Sequence, residues 1–252
     1  MSEGAGRDLF SLEGKTALVT GGSRGLGREI ALAYARYGAD VIVTSRKLEA
    51  CEAVAKEIEA LGRRALPVAC HVGRWEEIDA LVETAYARFD HVDVLVNNAG
   101  MSPLAPSSAE TPEALVDKVL AVNFKGPFRL GALVGKRMVE HGGGAIINVS
   151  SFAAQRAKPA FGPYAASKAG MNALTQIFAL EYGPTVRVNT LSAGPFLTDI
   201  ADHWPEEARK KTQSAIGRPG QPDEVVTTAL YLASPYSSFV TGGVVRVDGG
   251  LV

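Results

Sequence analysis

Short runs of β-branched and aliphatic residues recur along the chain with helix-period segments between them, and a parallel sheet covered on both faces requires that alternation. The runs fall at residues 15–20, 40–44, 65–69, 92–96, 145–150, 186–191 and 244–247. Helices are expected near 25–37, 47–61, 74–89, 111–140, 163–182 and 222–233, with a polar segment at 199–216. The expected fold class is α/β: a single doubly wound, Rossmann-type domain over residues 1–252, with a seven-stranded parallel sheet flanked by helices. Gly142, Gly143 and Gly144 stand between a helix and a strand, where glycines make a turn and not a linker.

Composition narrows the partners. Hydrophobic residues make up 46% of the chain and charged residues 21%, enough apolar material for a sizeable core. With 26 basic residues against 27 acidic ones, no net field draws the protein to nucleic acid or anionic lipid. The longest uncharged run, 225–245, is interrupted by Ser234, Pro235, Ser237, Ser238, Thr241 and Gly242, so no membrane span is expected. The opening MSEGAGRDLF lacks a basic stretch followed by an apolar one, and the protein is read as cytoplasmic. Cys51 and Cys70 have no CxxC spacing, and no metal site is expected.

The first strand runs directly into Thr20-Gly21-Gly22-Ser23-Arg24-Gly25-Leu26-Gly27 and then into a helix. In that context glycines let backbone amides approach a pyrophosphate at a helix N-terminus. The spacing is GxxxGxG and not the more common GxGxxG. Further along stand Asn97-Asn98-Ala99-Gly100 after the fourth strand, then Asn123, Ser151 and Tyr164-Ala165-Ala166-Ser167-Lys168.

On these motifs, in this order, the chain resembles a classical short-chain dehydrogenase/reductase, a likeness that runs from Phe10 to Gly250 and includes Gly217-Arg218-Pro219-Gly220. The resemblance implies a catalytic tetrad of Asn123, Ser151, Tyr164 and Lys168. Ser151 is preferred to Ser150 because the family places its serine thirteen residues before the tyrosine. Tyr164 is then the proton donor or acceptor, Ser151 bonds the substrate oxygen, Lys168 also holds the nicotinamide ribose, and the Asn123 backbone holds a water on the proton path. The chemistry is consistent with this: four residues apart on a helix, Tyr164 and Lys168 share one face. A nearby ammonium is expected to favour the phenolate and bring the tyrosine pKa down toward neutrality.

The resemblance also implies cofactor contacts at Gly21, Ser23, Arg24, Gly25, Leu26 and Gly27 in the turn and at Ser45 and Arg46 after the second strand. Further contacts are implied at His71 and Val72, at Asn98, Ala99 and Gly100, at Tyr164 and Lys168, and at Gly194, Phe196 and Thr198. An NAD-selective site usually carries an acidic residue about 20 positions beyond the glycines. Here Ser45 stands there, Arg46 follows, and Arg24 lies inside the turn, so NADP(H) is expected in preference to NAD(H). Asn97 and Asn98 are expected either to brace the sheet or to touch cofactor. Two departures from the family stand out: His71-Val72 where Asp-Val is common, so that a neutral imidazole still able to accept one bond replaces the carboxylate and adenine binding is expected to be altered and not lost, and Ala193-Gly194 where Pro-Gly is common, so that the loop loses one rigidifying ring.

The function expected is interconversion of a carbonyl and a secondary alcohol. The substrate is read as a small, largely apolar, uncharged molecule, because Phe152, Ala153, Ala154, Phe161, Phe196 and Trp204 supply apolar surface around the tetrad. The alternatives are a 3-oxoacyl carrier-protein or thioester reductase, an NAD-linked alcohol or sugar dehydrogenase, and a nucleotide-sensing or scaffold protein without turnover. Family resemblance further implies a homotetramer.

Overall fold

The computed structural model describes residues 9–251; the first eight residues of the opening segment lie outside them. Strands β1 (Thr16–Thr20), β2 (Asp40–Ser45), β3 (Ala65–Ala69), β4 (Val94–Asn97), β5 (Gly144–Ser151), β6 (Val186–Ala193) and β7 (Val244–Val247) form one seven-stranded sheet in the order β3-β2-β1-β4-β5-β6-β7. Every pairing is parallel. The helices are α1 (Gly25–Arg36), α2 (Leu48–Ala60), α3 (Trp75–Arg88), α4 (Glu113–Leu120), α5 (Gly126–Glu140), α6 (Gly162–Tyr182), α7 (Glu206–Lys210) and α8 (Val226–Ala233).

All five residues of β1 are buried, and Ala17, Leu18 and Val19 accordingly follow one another without polar alternation between Thr16 and Thr20. Successive side chains leave opposite faces. Ala17 and Val19 pack with Ile30, Tyr34, Ile58 and Leu230 in one layer, while Leu18 packs with Ile78, Leu130, Leu174 and Phe178 in the other. Each such aliphatic or aromatic side chain contributes about 1.5–3 kcal/mol on burial. Pro67 sits within β3 because β3 is an edge strand, where a missing N–H leaves no inner ladder bond unmade. At the amino ends of the strands, Asp93 accepts from the Thr16 N–H at 2.8 Å and from Lys15 Nζ at 3.0 Å, tying β1 to β4.

The single helix expected over 111–140 is divided. Between α4 and α5 the residues Ala121–Lys125 form one π-helical turn, and Asn123 lies at its centre. A π turn carries one extra residue and frees backbone groups from the regular ladder, a feature common where a helix serves a site. The polar segment at 199–216 contains a 3-10 turn, Asp199–His203, and the short α7. Among the described residues no helix is long and apolar enough to cross a membrane. Winding reverses between β1 and β4, and the crevice at their carboxyl ends is where doubly wound sheets bind ligands.

Candidate active site

The glycine turn closes over that crevice. Gly21 and Gly25 have φ of +62° and +54°, a region that suits glycine. A Cβ on Gly27 would collide with the Gly21 carbonyl oxygen and the Asn98 amide, so the turn packs only with hydrogen at that position. The turn is held from β4. Asn98 Nδ2 donates to the carbonyl oxygens of Thr20 at 2.8 Å and Gly21 at 3.3 Å. The Thr20 hydroxyl accepts from the backbone N–H groups of Asn98 and Ala99, both at 3.0 Å, and donates to the Val96 carbonyl at 3.2 Å. One donor and two acceptor sites are thereby all used. Thr20 carries no role in the sequence reading, since a threonine ending a strand looks like an ordinary β-former.

Asn97 braces another layer: its Nδ2 donates to Asn148 Oδ1 at 2.9 Å, and Asn148 Nδ2 donates to Thr175 Oγ1 at 2.9 Å. Both Asn97 and Asn98 therefore use their side-chain amide donors within the protein frame.

The first turn of α1 contains no acidic residue, leaving its positive end uncompensated for an anion. At the end of β2, the Ser45 hydroxyl lies 3.1 Å from Cys51 Sγ and 3.3 Å from the Lys47 carbonyl. Arg46 is exposed and forms no side-chain hydrogen bond or ion pair among the described residues. Arg24 differs: its Nη1 pairs with Asp199 Oδ2 at 3.2 Å, both groups largely in solvent. After β3, the His71 N–H donates to Glu77 Oε2 at 2.6 Å, and His71 Nδ1 accepts from the Gly73 N–H at 3.1 Å. Val72 follows half-buried.

The tetrad residues converge from three elements. Ser151 ends β5, where its Oγ accepts from the Ala153 N–H at 3.2 Å, and its hydroxyl acts on the Tyr164 phenol of α6. Ser150 points the other way and donates to the Lys168 carbonyl at 3.2 Å. Lys168 is buried, with Nζ donating to the Val149 carbonyl at 2.7 Å and lying 6.0 Å from the Tyr164 ring centroid. Asn123 is fully buried and clasps Met101: Oδ1 accepts from the Met101 N–H and Nδ2 donates to the Met101 carbonyl, each at 2.9 Å. Its Nδ2 also donates to Ser167 Oγ at 3.1 Å, and Ser167 Oγ in turn donates to the Tyr164 carbonyl at 2.7 Å. Asn123 thus fixes the strand-four loop against the helix turn that carries Tyr164.

The electrostatics correct one expectation. Burial pushes the Tyr164 phenol up from its ordinary pKa, and the opposing pull comes from the Ser151 hydroxyl. Burial also lowers Lys168 to about 8. The lysine is turned to a backbone carbonyl and is itself a weakened cation, so the protein alone keeps the tyrosine protonated, the state a proton donor needs.

Phe196 is a second correction. Read from sequence as pocket wall, it is 6% exposed and belongs to the core, where its ring packs on Gly220. The 194–198 loop is held by its backbone instead: Leu197 N–H donates to the Gly220 carbonyl and Gly220 N–H to the Pro195 carbonyl, both at 2.9 Å. That double tie supplies the rigidity expected from a proline at 193. Gly194 N–H donates to the Val247 carbonyl at 2.9 Å, and the Thr198 methyl abuts Gly25 in the glycine turn. Phe161 flanks Tyr164 with ring centroids 6.1 Å apart, while Ala153 is buried and Phe152, Ala154 and Trp204 are half-buried.

A parallel sheet reversing at β1 and β4, a glycine turn there, and a phenol, hydroxyl and ammonium at one end of it define an oxidoreductase of the CH–OH/C=O pair. A family model described as enoyl-(acyl carrier protein) reductase matches residues 21–252. The 3-oxoacyl-[acyl-carrier-protein] reductase FabG of Thermotoga maritima is 38% identical over 244 residues, 96% of this chain and 99% of that protein. A solved 7α-hydroxysteroid dehydrogenase, in complex with NADH and 7-oxo glycochenodeoxycholic acid, aligns with a TM-score of 0.92 at 34% identity over 97% of each chain. A putative NAD(P)-dependent gluconate 5-dehydrogenase from Beutenbergia cavernae, with bound NADP, aligns with a TM-score of 0.89 at 36% identity, covering 96% of this chain and 98% of that one. The chain belongs to the classical short-chain dehydrogenase/reductase family.

The family binds NAD(P)(H), and the residues present fit such a group. The uncompensated α1 terminus faces the crevice end, and Gly100 leaves open the space a Cβ would fill, 3.4 Å from Asn123 Oδ1 and 3.5 Å from Lys168 Nζ.

Proposed function

We propose that the protein is an NADP(H)-dependent reductase of an uncharged, largely apolar carbonyl compound, yielding the secondary alcohol, with Tyr164 as proton donor. The observation that carries the cofactor preference is Arg46, exposed and without a side-chain partner among the described residues, directly after Ser45, which stands uncharged where an NAD-selective site has a carboxylate. The α1 terminus would hold the pyrophosphate, Ser45 and Arg46 the phosphorylated ribose, and Lys168 the nicotinamide ribose. When bound, the dinucleotide supplies the hydride that reduces the substrate carbon.

The chain's own residues do the rest. Ser151 orients the carbonyl oxygen by a hydrogen bond, and Tyr164 delivers its phenolic proton to that oxygen as negative charge develops there. Lys168 stabilises the phenolate left behind. Asn123 keeps the Met101 loop and the start of α6 in register. Phe161, Phe152, Ala154 and Trp204 favour an apolar, desolvated ligand.

Exposed apolar residues on adjacent helices, Val139 on α5 with Ile177 and Leu180 on α6, support a homotetramer as the assembled form. Two free, buried thiols, Cys51 and Cys70, support a cytoplasmic location, where cysteines stay reduced.

The test is kcat/KM for free ketones and diketones against a 3-oxoacyl group on carrier protein and on a short thioester, each with NADPH and NADH, at low and moderate salt. Free ketones turned over with NADPH ahead of NADH support the reading. A carrier-bound substrate faster by orders of magnitude, with an advantage that collapses as salt rises, would overturn the substrate class. NADH ahead of NADPH on every substrate overturns the cofactor preference.

A further inference from the structure

Which edge of the nucleobase this site reads follows from His71, on the dinucleotide reading given above. The tetrad lies at the β5 end of the sheet, and the glycine turn lies at β1. A dinucleotide that places its nicotinamide at the tetrad and its pyrophosphate on α1 must carry its adenosine half toward β2 and β3, the strands on the other side of β1. Ser45 and Arg46 then meet the ribose, and the base falls at the end of β3. The Cys70 N–H donates to the Ser45 carbonyl at 2.8 Å, which holds the two strand ends together and puts His71 next in line.

The tautomer of His71 follows from one bond. The Gly73 backbone N–H is able only to donate, so Nδ1, 3.1 Å away, must accept. A neutral imidazole that accepts through Nδ1 carries its proton on Nε2. Nε2 has no hydrogen-bond partner among the described residues. The neighbouring carboxylate is held away from the ring nitrogens by its own partners: Glu77 Oε2 accepts from the His71 backbone N–H at 2.6 Å and Oε1 from Arg74 Nη1 at 2.7 Å.

We infer that His71 presents an N–H donor to the six-substituent edge of the purine, so that the base subsite accepts a 6-oxopurine dinucleotide about as well as the 6-aminopurine one. The exocyclic amine of adenine is a donor and finds no accepting side chain at His71. The carbonyl oxygen of hypoxanthine is an acceptor and pairs with Nε2–H.

Equilibrium binding of NADPH and of reduced nicotinamide hypoxanthine dinucleotide phosphate, followed by cofactor fluorescence without substrate, tests this. The parent protein is expected to bind the two within about three-fold of each other. His71→Asp, which replaces the donor by an acceptor, is expected to move the ratio toward adenine by about ten-fold or more, the size of a charge-assisted hydrogen bond. His71→Ala, which removes the donor without adding charge, should weaken the hypoxanthine form several-fold and leave the adenine form nearly unchanged. A parent that prefers adenine by ten-fold or more, or a ratio that neither variant moves, overturns the inference while the dinucleotide reading stands. Binding of neither dinucleotide overturns both.

Discussion

Lys168 Nζ donates to the Val149 carbonyl oxygen at 2.7 Å while lying 6.0 Å from the centre of the Tyr164 ring one helical turn away. The lysine is anchored by β5, and the same strand ends in Ser151, whose hydroxyl draws the tyrosine pKa down against the push of burial. Tyr164→Phe removes only the hydroxyl. Turnover is expected to fall by at least about three orders of magnitude with cofactor dissociation constants within about two-fold of the parent, measured by fluorescence titration; a variant retaining a tenth of parent turnover would remove Tyr164 from the proton path.

Lys168 makes stability depend on pH with a definite sign. Its folded pKa of about 8 is below the ordinary lysine value of about 10.4, so between those two pH values the unfolded chain binds the additional proton. Stability attributable to this group therefore rises as pH rises through that window. The charged lysine costs the fold on the order of 3 kcal/mol below pH 8, since a ten-fold weakening of proton binding corresponds to about 1.36 kcal/mol. Lys168→Met is expected to be inactive, and its stability relative to the parent in urea unfolding should be greatest near pH 7 and decline steadily toward pH 10. A difference that is flat with pH contradicts the assignment.

Arg46 and Arg24 separate in strength because only one of them is engaged. Arg46 is without a partner among the described residues, whereas Arg24 must leave Asp199 before it meets a phosphate. Arg46→Ala should weaken NADPH by about ten-fold or more and hardly alter NADH. Arg24→Ala should weaken NADPH less than Arg46→Ala does, and Asp199→Asn should tighten it by up to a few-fold, the scale of an exposed ion pair. Ser45→Asp combined with Arg46→Ala should bring NADH ahead of NADPH. Isothermal titration of both cofactors checks the series.

Asn98 is a positioning residue for the glycine turn. Asn98→Ala leaves the Thr20 carbonyl without its side-chain donor, and loss of this part-buried bond costs about 1 kcal/mol. Denaturant midpoints should fall accordingly, and affinity for NADPH and NADH should weaken by the same factor, because the turn itself loosens. A selective loss of one cofactor would mean that Asn98 reads the ligand directly.

The sequence by itself determined the sheet and the order of the chemistry along the chain. Runs without polar alternation such as 17–19 suit strands buried on both faces, and helix-period segments between them leave parallel crossovers as the connection. The four-residue spacing of Tyr164 and Lys168 likewise put both on one face of α6, since helical geometry alone brings residues at that separation together.

Only the tertiary structure decided matters that depend on which groups meet across distant segments. Asn123 falls in a π turn, where its side chain bridges Met101 and Ser167, contacts that no local pattern encodes. Phe196 looks like pocket wall in sequence and is core in space, since Gly220 leaves room for its ring. The tyrosine that spacing alone would make acidic is held protonated, because desolvation acts on both it and the lysine together. Periodicity records how each segment meets the sheet, whereas hydrogen-bond partners and dielectric environment are set by residues far apart in the chain and exist only once it has folded.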